Sequence, residues 1–375
     1  MNLLDVFADL PDPRLDRQKK HKLIDIVALT ICGVLAGEDN FADIEFYARN
    51  KFDFFKGFLE LPNGIPSHDT FSRVWGLINP KHFEKRFQCW LDALKLELSL
   101  STQVVAIDGK TMRGSAQKSK NKSGLHVVTA YATELGLALG QVATKEKSNE
   151  ITAIPELLES LYLKGCIVTI DAMGCQKEIA KKIIAQGAHA ILAVKNNQPS
   201  LHEDIAVYLK SEKEKPGGLD RHEAVDKGHG RVEIRTCYVS QDLDWLIDRH
   251  PGWPPFQSII MMESERHLGE KIERSTRYYI SSMPCSAEAA QTYIRSHWAV
   301  ENNLHYVLDV VFNEDAHQLI NKSAAANLNV IRKMVMGLLK NLKSDRKFPS
   351  LKAKRKLCGW DDSFLLEVLG FVKDN

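Results

Sequence analysis

Apolar positions fall into three regimes along the chain. Over residues 1–95 they recur with helical spacing. Leu23, Ile24, Ile26, Val27, Leu29 and Leu35 are dense enough to predict a helix buried on nearly every side. A second helix is predicted from Phe41 to Leu61, stopped by the turn signal Pro62-Asn63-Gly64. Ser67 precedes His68-Asp69-Thr70 as an N-cap with an acid in the first turn, and its helix carries Phe71, Val74, Trp75 and Ile78. A further helix follows Pro80 and runs from His82 to about Leu98.

The period then shortens to that of strands. Val104-Val105-Ala106-Ile107 is a β-branched run that should stop at Asp108-Gly109. Leu125–Ala132 and Leu137–Ala143 form a predicted hairpin around Glu134-Leu135-Gly136. A helix over Glu150–Tyr162, a strand Cys166–Ile170, a helix Gln176–Gln186 stopped by Gly187 and a strand Ala188–Val194 complete a mixed α/β pattern. Residues 200–283 are looser, with strand-like pieces at Val232–Val239, Ser258–Glu263 and Thr276–Ser281. One long helix is then predicted from Ser286 to Phe312, and helices joined by a basic stretch end the chain.

Composition narrows the class. The chain has 375 residues, 44% apolar and 26% charged, which suits a folded protein of two or three units. The densest apolar run, Ile26–Gly37, is too short to cross a membrane, and the opening Met1-Asn2-Leu3-Leu4-Asp5 does not read as a secretory leader. Seven cysteines without a Cys-x-x-Cys pair suggest reduced thiols rather than a disulfide framework or structural zinc. The net charge of +2 selects no partner, but its distribution does. Lys110, Arg113, Lys118, Lys120 and Lys122 cluster without an acid. So do Lys340, Lys343, Arg346, Lys347, Lys352, Lys354, Arg355 and Lys356 with only Asp345 among them, while Arg14, Arg17, Lys19, Lys20 and Lys22 are diluted by acids. Such clusters suit a phosphate-rich partner.

Candidate chemistry sits where the apolar runs end. Asp108 and Asp171 each follow one, and a buried strand tolerates a charge only where it emerges. If the two strands are neighbours, their carboxylates lie side by side and call for a divalent cation, magnesium or manganese for oxygen ligands. A third acid must come from Glu301, Asp309, Glu314 or Asp315. Glu301 lies at the margin of the stripe Val300, Leu304, Val307, Leu308 and Val311, whereas Asp309 should face solvent and Glu314 and Asp315 should lie in a loop. His297, Glu301 and His305 are spaced four apart, but a straight helix rarely supplies three ligands to one zinc. Three carboxylates around two ions suit phosphodiester chemistry, and the basic clusters make nucleic acid the natural phosphodiester. Lys195, Asn197 and Gln198 after a strand end, and Arg231 farther on, are candidate DNA contacts.

The motifs Val105-Ala106-Ile107-Asp108-Gly109-Lys110, Lys147-Ser148-Asn149-Glu150-Ile151, Ile170-Asp171-Ala172-Met173-Gly174, Val194-Lys195-Asn196-Asn197-Gln198, Gly228-His229-Gly230-Arg231 and His297-Trp298-Ala299-Val300-Glu301-Asn302 resemble those of DDE insertion-sequence transposases of the H-repeat-associated, ISAs-type group. Asp12-Pro13-Arg14 and Gly64-Ile65-Pro66-Ser67 extend the resemblance toward the N-terminus.

The resemblance implies an α/β fold: a ribonuclease H-like catalytic core with a β-rich insertion, preceded and followed by helical regions. Its divisions would be an associated helical domain over 1–99, a catalytic domain over 100–315 with the insertion at about 200–283, and a basic helical region over 316–375. It implies Asp108, Asp171 and Glu301 as catalytic metal ligands, with two magnesium or manganese ions. It further implies DNA cleavage at element ends followed by strand transfer into target DNA. The expected partner is double-stranded DNA, with a homodimer in the complex, in the cytoplasm and at the nucleoid of a bacterium. Relatives carry a Tyr-x2-Arg-x3-Glu-x6-Lys signature; here His297 and Leu308 stand at its Arg and Lys positions, leaving His297, Arg295 or Arg231 as substitutes. A DNA-binding protein without catalysis and a nuclease without strand transfer are the alternatives.

Overall fold

The computed structural model describes residues 3–95, 103–117, 119, 122–144, 150–228, 230–269, 271–344 and 346–371. Met1, Asn2, Lys118, Lys120, Lys147, Ser148, Asn149, His229 and Asp345, named above, lie outside the described residues, as does Leu98, the expected end of the helix from His82. Helices α1 (Leu23–Ala36), α2 (Phe41–Asn50), α3 (Phe52–Lys56), α4 (His68–Leu77) and α5 (Pro80–Lys95) build the N-terminal layer. Helix α1 is buried from Asp25 to Leu35, as its apolar density requires, and Gly37 (φ 104°) ends it in a left-handed conformation that favours glycine. Ser67 caps α4 by accepting from the Thr70 N–H. The single helix expected over Phe41–Leu61 is instead two, because Lys51 leaves helical geometry (φ −112°, ψ 24°) and the chain turns after Lys56 to bring the Leu61 N–H onto Asp25 at 3.0 Å.

The centre is one nine-stranded sheet, ordered β3-β2-β1-β4-β5-β9-β8-β7-β6. Its strands are β1 (Val104–Met112), β2 (Leu125–Ala132), β3 (Leu137–Thr144), β4 (Ile167–Ile170), β5 (His189–Val194), β6 (Asp220–Gly228), β7 (Arg231–Ser240), β8 (Ser258–Leu268) and β9 (Lys271–Ser281). β1, β2 and β3 form an antiparallel meander, β4 and β5 run parallel to β1, and β9 to β6 extend the sheet antiparallel beyond β5. The helices between the strands are α6 (Glu150–Glu159), α7 (Lys177–Ala185), α8 (Pro199–Lys213) and α9 (Asp244–Arg249). Residues 200–283 are thus far more regular than their weak periodicity predicts. The alternation of β6 is mostly polar, since none of its residues is buried, and α8 buries only the narrow stripe Leu201, Ile205 and Leu209.

After β9 come α10 (Ala287–His297), a π-helical turn (Val300–His305), α11 (Tyr306–Val310), α12 (Lys322–Asn341), α13 (Leu351–Trp360) and α14 (Asp362–Leu369). The uninterrupted helix expected from Ser286 to Phe312 is therefore broken and locally widened around Glu301. One sheet face packs on α6, α7 and α8 through Ile107, Val168, Leu157 and Ile205. The other carries Ala106 and Tyr131 into a core shared by α1, α4, α12 and α14. N- and C-terminal helices therefore form one layer: Asn327 donates to the Trp75 and Ile78 carbonyls at 3.1 and 3.0 Å, and the buried Arg355 binds Asp39 at 2.8 Å. Among the described residues, no helix is long and apolar enough to cross a membrane, and the seven cysteines are free thiols.

Candidate active site

β1 does not stop at Asp108. It loses β4 there, because β1 and β4 pair only as far as Ile107 and Ile170, yet it continues to Met112 against β2, with Asp108 opposite Thr129. A charge is tolerated mid-strand because one flank of the strand has just been vacated. Asp171 is the first residue after β4, and strand alternation puts it on the same face as Asp108, Ala106 and Thr169. Its Oδ1 accepts from the Met173 and Gly174 N–H groups at 3.0 and 3.3 Å. The turn it anchors is braced by Asn197, which donates to the Ala172 carbonyl, and by Gln198, which donates to that of Cys175 at 3.1 Å.

The π-helical turn brings Glu301 and His305 over this edge. Wide turns of this kind cluster at functional sites, and Glu301 and His305, four residues apart, share one face of this one. His305 Nδ1 is 3.6 Å from Asp108 Oδ2 and 3.8 Å from Glu301 Oε2. Ligand atoms of Asp108, Glu301 and His305 all lie within 4.8 Å of one another. Asp108, Asp171, Glu301, His297, Lys195 and Arg277 line one cleft of about 180 Å³. Burial, and then the charges of Glu301 and Asp171, push the Asp108 carboxyl up to about 7. His297 contacts Thr169 Oγ1 through Nδ1 at 3.0 Å, and burial lowers its basicity.

Other predicted residues fall elsewhere. Lys110 points inward, with Nζ 2.7 Å from Asp309, 2.9 Å from Glu314 and 3.6 Å from Asp315. Asp309 is therefore an ion-pair partner rather than a solvent-facing charge, and Glu314 is fully buried, with Asn329 and Arg332 at 2.6 and 3.5 Å. Burial alone would raise the Glu314 carboxyl, but Lys110 and Arg332 hold it below its usual value. With its ammonium engaged by three carboxylates, Lys110 is not placed to grip phosphate; Asn197 and Gln198 brace the Asp171 turn. Arg113 is exposed beside Asp315.

Arg231 and Arg295 line a separate, larger trough of about 900 Å³ that shares Arg277, Tyr279, Ile294 and Trp298 with the acidic cleft. Sequence reasoning missed its other arginines, Arg235, Arg266, Arg274 and Arg277. The available signal was period two: Arg231, Glu233 and Arg235 on β7, Ser264 and Arg266 on β8, and Glu273, Ser275 and Arg277 on β9 share one face through the register. Arg277 lies 4.8 Å over the exposed Trp298 ring.

Against known proteins, the family model described as "Transposase DDE domain" matches residues 99–338, and that described as "DDE_Tnp_1-associated" matches residues 4–91. The chain is 40% identical over 372 residues to the "H repeat-associated putative transposase YhhI" of Escherichia coli (strain K12), covering 98% of this chain and 97% of that protein. It is also 40% identical to the "Putative transposase YncI" of Escherichia coli O157:H7, covering 98% and 94%. A solved piggyBac transposase synaptic complex with hairpin DNA aligns at a TM-score of 0.42 and 10% identity, over 98% of this chain and 76% of that one. The chain belongs to the DDE transposase family, with relatives among the H repeat-associated transposases.

Proposed function

We propose that this protein is a DNA transposase that cleaves at the ends of its element and joins them to target DNA. One observation carries the reading: a cleft lined by Asp108, Asp171 and Glu301 opens onto a trough lined by six arginines and two glutamates. Arginine forks suit phosphate oxygens, and a backbone held in the trough would run toward the acids. The order β3-β2-β1-β4-β5, antiparallel then parallel, supports a ribonuclease H-like core over 100–315, with β6–β9 as the insertion, between helical regions over 1–99 and 316–375.

Asp108 and Glu301, whose ligand atoms group with that of His305, and Asp171 on the wall of the same cleft are the residues that would hold magnesium or manganese, and carboxylate donors fit such hard divalent ions. Such ions stabilise charge on the attacking and leaving oxygens of a phosphodiester. The chain's own part is placement. Two backbone N–H groups orient Asp171, the Thr169 contact fixes His297 beside it, and Lys195 and Arg277 at the cleft wall would hold the phosphate.

The test is incubation of the protein with magnesium or manganese and DNA carrying the element's ends. Nicked ends plus joined products, both lost with chelator, are expected. Nicks without joined products would favour a nuclease, and binding without either would favour a DNA-binding role.

A further inference from the structure

We propose that His305 is a nitrogen ligand of the ion held by Asp108 and Glu301, which gives the site a preference for manganese over magnesium. This rests on the metal site proposed above and adds a residue to it. The imidazole is 8% exposed and enters the acid pair with Nδ1, 3.6 Å from one carboxylate oxygen and 3.8 Å from the other. Those separations are too long for hydrogen bonds. They are close to the roughly 3.0–3.5 Å between two donors that share one ion at about 2.1 Å and an angle of 90–110°. The ring's other nitrogen, Nε2, is buried with no hydrogen-bond partner. A buried imidazole with Nε2 unpaired and Nδ1 only at ion-pair distance from two carboxylates is an expensive arrangement, and an ion at Nδ1 would engage that nitrogen directly.

The backbone shows how the ring comes to be there. Glu301 and His305, four residues apart in the π-helical turn, share the face that meets Asp108, while His297, on α10, is held by Thr169. Magnesium prefers an all-oxygen shell, whereas imidazole raises affinity for transition ions. A mixed nitrogen and oxygen set therefore shifts the balance toward manganese.

The full-length protein loaded with Mn2+ alone would be examined by pulsed electron paramagnetic resonance, with its histidines carrying 14N or 15N. Nitrogen coupling is expected in the wild type and in His297→Gln, and its loss is expected in His305→Gln. Calorimetric titration should show His305→Gln weakening Mn2+ binding by about tenfold or more, with a smaller change for Mg2+. A circular dichroism spectrum checks that the variant folds; if it does not, the wild-type spectrum and the His297→Gln control decide the question. Mn2+ bound without nitrogen coupling, or coupling that disappears in His297→Gln, overturns the assignment of His305 and leaves the carboxylate site standing. No Mn2+ binding at all would overturn the metal site itself, and His305 with it.

Discussion

Asp108 holds its proton up to about pH 7 in the folded chain, whereas an ordinary aspartate releases it near 3.8. Between those values the unfolded state binds fewer protons, so folding stability falls as pH rises, by at most about 1.4 kcal/mol per unit. Asp108→Asn removes this dependence. Without metal, the variant should be more stable than the wild type at pH 8, with the gap closing toward pH 4; urea midpoints would show it, and an equal gap at both pH values would refute it. Added Mn2+ should stabilise the wild type at pH 8 and leave the variant unchanged. Glu301 and Glu314 separate along a different axis. Glu301 is 54% exposed and meets His305 and the cleft. Glu314 is enclosed by Lys110, Arg332 and Asn329. Glu314→Gln should therefore cost about 3–5 kcal/mol by leaving buried cations uncompensated. Glu301→Gln should barely change the urea midpoint yet abolish DNA nicking. A stable, inactive Glu314 variant beside an active Glu301 variant would reverse the assignment.

At the scale of elements, the site depends on strands that end at different places. β4 stops at Ile170 while β1 runs on, and the step between them is where Asp108 and Asp171 meet. Gly109 makes the continuation feasible. A Cβ there would sit 2.3 Å from Glu150 Oε1 and 2.4 Å from His126 Nε2, which are 2.6 Å apart in a buried pair. Gly109→Ala should destabilise by about 1–3 kcal/mol, read from urea unfolding, and should weaken metal binding by displacing Asp108. An unchanged midpoint would mean that the pair yields freely. Much of this was legible in the chain. Apolar runs ending in Asp108 and Asp171 placed two acids at the margin of a sheet, and the stripe from Val300 put Glu301 at its own edge. The extension of β1 was not legible, because Asp108-Gly109 reads as the end of the strand and only pairing with β2 keeps the chain extended to Met112. Nor was the π-helical turn, since a helix that widens leaves the spacing of Val300, Leu304 and Leu308 intact. His305 does not stand out in the sequence because, with His297 and Glu301, it reads as one of three ligands that a straight helix rarely supplies to one zinc. The ion pairs of Lys110 span about two hundred residues, and no local pattern reports them.

Over the whole molecule, the net charge of +2 hides an uneven field whose location differs from the clusters in the sequence. The C-terminal basic run is partly internal: Arg355 is buried against Asp39, Lys354 donates to the Leu339 carbonyl, and Lys340 donates to Tyr131 and to the Asn303 carbonyl. The N-terminal run is paired as well, Arg14 with Asp12 and Lys19 with Asp16. Arginines from β7, β8, β9 and α10, scattered through the sequence, converge on the trough beside the acids; Arg235, Arg266, Arg274 and Arg295 are ion-paired there with Asp226, Glu233 and Glu265, while among the described residues Arg231 and Arg277 are in no ion pair. DNA affinity should therefore draw its salt dependence mainly from that trough. Each phosphate contact contributes about 0.9 to the slope of log affinity against log salt. Replacing Arg231 and Arg277 by Gln should reduce the slope by about 1.8 if each neutralises one phosphate. Lys352→Gln with Lys356→Gln, both exposed on α13, should change it less. Replacing Arg355 would be uninformative about DNA, because it would unfasten α13 from Asp39 and the Val34 carbonyl. Fluorescence anisotropy across a salt series distinguishes the two faces. A larger drop for the α13 pair than for the trough pair would place the DNA path on the C-terminal helices and separate it from the arginine trough.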